Sequence, residues 1–72
     1  MLLSAVVSPV RPGDLVVIRL PRACPPGAIE RWDGRAGFVL KEGLRGGLRV
    51  FWVHVPGVGS SSFEPGSLRE LI

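Results

Sequence analysis

The side chains able to do chemistry in this sequence are few and scattered. His54 is the only histidine and Cys24 the only cysteine, so one chain can build neither a multi-histidine metal site nor an internal disulfide. Cys24 stands in "ACPPG", where a packed, unreactive thiol is the expected state. Ser60, Ser61 and Ser62 follow "GVG", yet neither a P-loop nor a nucleophile-elbow pattern surrounds them, so they read as a solvated turn. Glu30, Asp33, Glu42, Glu64 and Glu70 are spread through turns with no spacing that argues for a carboxylate pair. An enzyme needs a positioned acid, base, nucleophile or metal. The expectation is a non-catalytic protein with no metal and no cofactor.

Aromatic and guanidinium groups carry the stronger signal, and their chemistry is that of contact. Trp32 lies beside Arg31, Asp33 and Arg35 in polar surroundings. Leaving so large an apolar side chain in water costs about 1.5–3 kcal/mol, so it either folds back over the domain or meets a partner. Folding back is the expectation. Trp52 sits in the apolar run "LRVFWVHVP", where core packing is expected, with His54 at the rim of the same strand. Nine Lys and Arg residues against six carboxylates leave a net charge of +3, compatible with nucleic acid but too small to argue for it. Arg19, Arg22, Arg31, Arg35, Arg45 and Arg49 are candidates for a phosphate track, with Trp32 as a stacking platform worth about 1–3 kcal/mol per base. Solvated turns and strand edges are the ordinary state of such arginines.

These groups must be positioned by a small, apolar, turn-rich chain. Hydrophobic residues make up 46% of it and charged ones 21%, which is too apolar for a disordered tail. Ten glycines and seven prolines punctuate the apolar runs, as in a small all-β domain rather than a helical bundle. "RPGD" at Arg11 to Asp14 reads as a turn, and "LVVIRL" at Leu15 to Leu20 as the first strand. Pro21 to Gly34 reads as a long loop, of the kind that often binds. "RAGFVLKEG" is the second strand, Gly37 marking a bulge or a close backbone approach. Glu42 to Gly47 form a glycine-rich hairpin turn into the third strand, Leu48 to Pro56. "PGVGSSS" turns the chain, "SFEP" is a short fourth strand, "EPGSL" a tight turn of 3₁₀ type, and "LRELI" the last strand. Five short strands in so small a chain point to a closed or nearly closed barrel, which removes exposed sheet edges. The start, "MLLSAVVSPV", lacks the basic region of a signal sequence and reads as an arm docked on the fold or on a neighbour.

The succession "RPGDLVVI", "DGRAGFVLK", "LRVFWV" and "FEPGSLREL" resembles small SH3-like barrels and, within them, the KOW-type arrangement. The matching features are Gly13-Asp14 leading into strand one, Gly34, Gly37, Phe38 and Val39 bending into strand two, and Pro65, Leu68 and Leu71 packing the last strand. Where KOW domains usually carry lysine beside the central glycine, this chain has Arg35 and Ala36. Barrels of this pattern are also common among bacteriophage proteins. The resemblance implies a binding or assembly module, and it implies that the face between the first long loop and the later hairpin holds the ligand, within reach of Trp32, Trp52, His54 and Phe63.

The expectation is thus an all-β, five-stranded SH3-like barrel over residues 12–72 with a long first loop, preceded by an N-terminal extended arm over residues 1–11. Its expected role is that of a structural or adaptor subunit binding other protein chains, copies of itself included, in a larger assembly such as a phage virion. A KOW-type nucleic-acid module is the alternative, with Arg22, Arg31, Arg35, Arg45 and Arg49 as its contacts. The expected location is cytoplasmic or virion-associated, without a membrane span, since no apolar run approaches about 18 residues. The third strand leaves one question open. Phe51, Val53 and Val55 lie on one side and Val50, Trp52 and His54 on the other, and parity alone does not say which side faces inward.

Overall fold

A computed structural model of the chain describes residues 10–71. The elements run β1 (Leu15–Ile18), α1 (Pro26–Trp32), β2 (Ala36–Arg45), β3 (Leu48–Val55), β4 (Gly59–Phe63), a 3₁₀ turn (Pro65–Ser67) and β5 (Leu68–Glu70). All strand pairs are antiparallel, and the sheet order is β4-β3-β2-β1-β5.

Turn chemistry dictates most of this order. Gly46 and Gly47 both take positive φ, +59° and +83°, in the two-residue loop joining β2 to β3. That is a type I′ turn, whose twist matches the strands it joins. Val55-Pro56-Gly57-Val58 joins β3 to β4 with Pro second, Gly57 at φ +82°, and the Val58 amide donating to the Val55 carbonyl at 3.0 Å. These are the marks of a type II turn. The apolar runs between the turns then have to pair.

The long β2 serves two neighbours. Ala36 to Phe38 pair with β1, while Phe38 to Arg45 pair with β3 across a bulge between Val39 and Lys41. Bulges sharpen the local bend and twist of a strand. The bend is required by the connection at the far end. In a flat sheet β4 and β5 would lie four spacings apart, about 19 Å. From Phe63 to Leu68, with a 3₁₀ turn between, the chain reaches only about 13 Å. The sheet therefore curls over its own core, although no ladder joins β4 to β5 among the described residues.

Inside the curl lie Val16, Ile18, Val39, Phe51, Val53, Val55, Phe63 and Leu68, one or more from every strand. Phe51, Val53 and Val55 are thus the inward set of β3, although Val50 of the opposite set is also buried, at 4%. Val10, within the arm expected over 1–11, packs into this core at 3% exposure. The remainder of that arm lies outside the described residues. Leu68 is buried as the closing pattern implies, but Leu71 is 47% exposed and does not pack inward.

Besides β2 running on to Arg45, which leaves only Gly46-Gly47 of the turn expected over Glu42 to Gly47, two segments differ from the expectation. The long loop contains the helix α1. Pro26 occupies its first turn, where a missing N–H costs nothing, so the prolines that suggest a break begin a helix instead. Seven residues are too few to be helical alone. Trp32 holds α1 in place by packing on the core, and Arg31 donates from Nη2 to the Val58 carbonyl at 3.2 Å. Asp33 closes the excursion, its Oδ1 accepting the Leu20 amide at 2.8 Å. The second difference is at Ser60, Ser61 and Ser62, which form β4 rather than a solvated turn. Pairing with Val53 and its neighbours supplies what their weak strand preference does not.

Candidate interaction surface

Antiparallel pairing places partners on the same face of a sheet, so the register assigns each paired strand residue to a side. The core side is filled. The outer side carries side chains that a small monomer would ordinarily cover. Leu15 lies opposite Phe38, Phe38 opposite His54, and His54 opposite Ser60, a row running from β1 to β4. Leu71 extends it beyond β1, its amide donating to the Leu15 carbonyl at 3.1 Å. Leu15, Phe38, Leu40, Trp52 and Leu71 are all exposed.

The row is held by side-chain contacts. The Phe38 and His54 rings lie 5.4 Å apart at 53°, and His54 Nδ1 shares a hydrogen bond of 2.9 Å with Ser60 Oγ. A second row, one step along the strands, sets Lys41 opposite Trp52 and Trp52 opposite Ser62. Lys41 Nζ stands 5.9 Å from the Trp52 ring centre, within cation–π range. Arg45 reaches across β3 to donate from Nη1 to Ser62 Oγ at 2.7 Å. The indole lies over Gly43, where a built Cβ would make an ordinary van der Waals contact of 3.7 Å with Trp52 Nε1. Trp52 is therefore flanked by two cations while 36% of it stays exposed.

Among the described residues, no strand carboxylate shares this face. Glu42 pairs opposite Phe51 and Glu70 opposite Val16, both core-side positions. Away from the strands, Asp14 accepts the Arg11 amide within the first turn, and Asp33 caps Leu20. Lys41, Arg45 and Arg69 are the cations that the register assigns to the outer side. The result is an aromatic and cationic surface with an apolar margin.

The four residues expected to form one site divide into two pairs. Trp52 and His54 lie on the outer face. Trp32 and Phe63 lie on the core side, their ring centres 5.4 Å apart in an edge-to-face contact, with Phe63 7% exposed. Trp32 thus folds back, as its apolar area requires. The parity of β4 sends Phe63 inward beside Phe51 while Ser60 and Ser62 face out, so the two pairs cannot share a surface. Leu15, Phe38 and Lys41, which are not among the residues expected at the site, lie on the outer face, and Leu40 is exposed in the bulge between them. The signal for Phe38 was Gly37, whose inward position sends its neighbour outward.

The arginines do not form one track. Arg31 is tied to Val58 and stands 5.4 Å over the Trp32 ring; Arg35 donates from Nε to the Arg31 carbonyl at 2.6 Å. Arg49 pairs with Glu42 at 2.6 Å and stands over Phe51. Arg45 lies on the outer face, and Arg22 is exposed in the turn before α1. Cys24 is a half-buried free thiol. Among the described residues no group of three or more His, Cys, Asp or Glu side chains is placed to hold a metal ion, and no helix is long and apolar enough to cross a membrane. Comparison with protein-family models, curated proteins and solved structures yields no match.

Proposed function

We propose that this chain is a non-catalytic interaction module, a structural or adaptor subunit that binds another protein through the outer face of its sheet. The single observation that carries the reading is the exposed row of Leu15, Phe38 and Trp52 that the register sets on one face, joined through His54. Exposed apolar patches of this sort, bordered by polar residues, mark interaction sites on small soluble domains. Trp52 has the composition of an interface anchor, a large aromatic with cations beside it. The curled sheet, with core residues from all five strands, supports the finer reading of an SH3-like barrel. Of the arginines invoked for a phosphate track, Arg31, Arg35, Arg45 and Arg49 are bound to acceptors of their own chain. That favours a protein partner over a nucleic acid.

The test is recovery of the native complex with the full chain as bait, comparing wild type, Trp52→Glu and Arg22→Glu. The expected result is a stoichiometric protein partner, resistant to nuclease, that Arg22→Glu retains and Trp52→Glu loses. A partner held equally by all three, or lost on nuclease treatment, would overturn the proposal.

A further inference from the structure

We propose that the open edge of β4 receives an extended acidic and apolar segment of a partner protein as a sixth strand. This rests on the interaction reading above and names the chemistry of the partner. The two edges of the sheet are unlike. β5 carries Arg69 and Glu70 in its three residues, the charged protection usual for an edge strand. β4 is Gly-Ser-Ser-Ser-Phe, with no charge and no proline. Among the described residues, the backbone of Ser60 to Phe63 makes no hydrogen bond besides its ladder to β3. Such an edge is a template for strand addition, in which main-chain bonds supply affinity and alternate side chains supply specificity.

The rows of the outer face say what those side chains are. One row ends Lys41, Trp52, Ser62 and the other ends Phe38, His54, Ser60. A strand added about 4.8 Å beyond β4 continues both rows with two side chains, two residues apart, on the outer face. The side chain opposite Ser62 meets the Arg45 guanidinium, already turned to Ser62 Oγ, with Lys41 beyond it. A carboxylate satisfies that position. The side chain opposite Ser60 faces the His54 and Phe38 rings, which suit an aromatic or branched apolar group. Ser60 and Ser62 are small enough to leave both rings within reach. A second copy of the chain is a poor occupant, since its β4 brings serines and no carboxylate. With no strand carboxylate on the outer face among the described residues, an acidic partner is complementary to it.

The experiment titrates the ¹⁵N-labelled full chain with three probes. The first is a capped peptide of alternating threonine and valine with a glutamate and a phenylalanine two positions apart, the second its lysine-for-glutamate twin, the third a single-stranded oligouridylate. The expected result is shift changes and slowed amide exchange along Ser60 to Phe63 with the glutamate peptide, and binding weaker by roughly tenfold or more with the lysine twin. The doubly charge-reversed variant Lys41→Glu, Arg45→Glu should invert that preference. Both side chains are exposed, and the wild-type comparison of the twins decides the matter should the variant fold poorly. Equal binding of the twins, no perturbation along β4, or occupation of the same face by the oligouridylate with the peptides inert would each overturn the inference. If β4 is untouched while Trp52→Glu still loses its protein partner, the inference falls and the interaction reading stands. If neither occurs, both fall.

Discussion

Gly37 lies directly beneath the backbone of His54: a Cβ built on the glycine would stand 2.5 Å from the His54 carbonyl oxygen. It would also meet the Val53 and Val55 side chains at 3.0 Å each. The obstacle is backbone on the neighbouring strand, so it cannot move without separating β2 from β3. Gly37→Ala is therefore expected to destabilise the fold by about 3 kcal/mol, the upper end of overpacking costs. Gly13 provides the contrast. A Cβ built there would meet nothing within 4 Å, but the residue's φ is +94°. Gly13→Ala should cost only the about 1–2 kcal/mol of a left-handed conformation. Urea unfolding of the two variants checks the order; equal costs would show that packing at Gly37 is not tight.

The edge-to-face pair of Trp32 and Phe63 anchors α1 to the core. Trp32→Ala removes that contact and part of the burial of Phe63, and a loss of about 2–4 kcal/mol is expected. Trp52→Ala, on the outer face, should cost less, about 1–2 kcal/mol, because the indole is 36% exposed and its removal opens no enclosed cavity. Thermal or urea unfolding separates the two tryptophans. A larger loss at Trp52 would mean that its indole is structural and would remove it as an interface anchor.

How far the sequence foretells this arrangement depends on which physical signal each residue carries. The strands holding Val16, Ile18, Val39 and Phe51 are legible because apolar runs bounded by Gly and Pro have few other uses. Pro65-Gly66-Ser67 reads as a 3₁₀ turn and forms one. Helix α1 is not legible, since Pro25, Pro26 and Gly27 suggest a break, and only its docking through Trp32 makes seven residues helical. Ser60 to Ser62 carry a turn composition that β3 overrides by pairing. The site is less legible than the fold. Trp52 and His54 share a side by parity, but which side faces the core needs the register with Val39 and Phe63, and the buried Val50 on the outer side shows that parity alone does not fix exposure.

The pair of Glu42 and Arg49 is close, 2.6 Å, yet the two side chains are 45% and 49% exposed. Exposed ion pairs contribute at most about 1 kcal/mol and are screened by salt. Glu42→Gln should accordingly cost less than that, with the difference shrinking as ionic strength rises. Arg49→Ala should cost somewhat more, because the guanidinium also stands 5.0 Å over the buried Phe51 ring. A double-mutant cycle, Glu42→Gln with Arg49→Ala, measures the coupling. A salt-independent coupling well above about 1 kcal/mol would contradict this assignment.

Asp33 accepts the Leu20 amide just past the end of α1 and so ties together the two ends of the segment from Pro21 to Trp32. Its backbone amide also donates to the Ile29 carbonyl, which fixes the aspartate at the helix end. Asp33→Ala leaves the Leu20 amide without its acceptor and is expected to cost about 1–2 kcal/mol. Asp33→Asn keeps an oxygen in the same place and should recover most of that loss. The site-specific readout is hydrogen exchange. Leu20 should lose protection in Asp33→Ala and regain it in Asp33→Asn, while amides of β3 change only by the global amount. Exchange at Leu20 that ignores both substitutions would show that the loop is closed by the packing of Trp32 and Leu20 on the core rather than by this hydrogen bond.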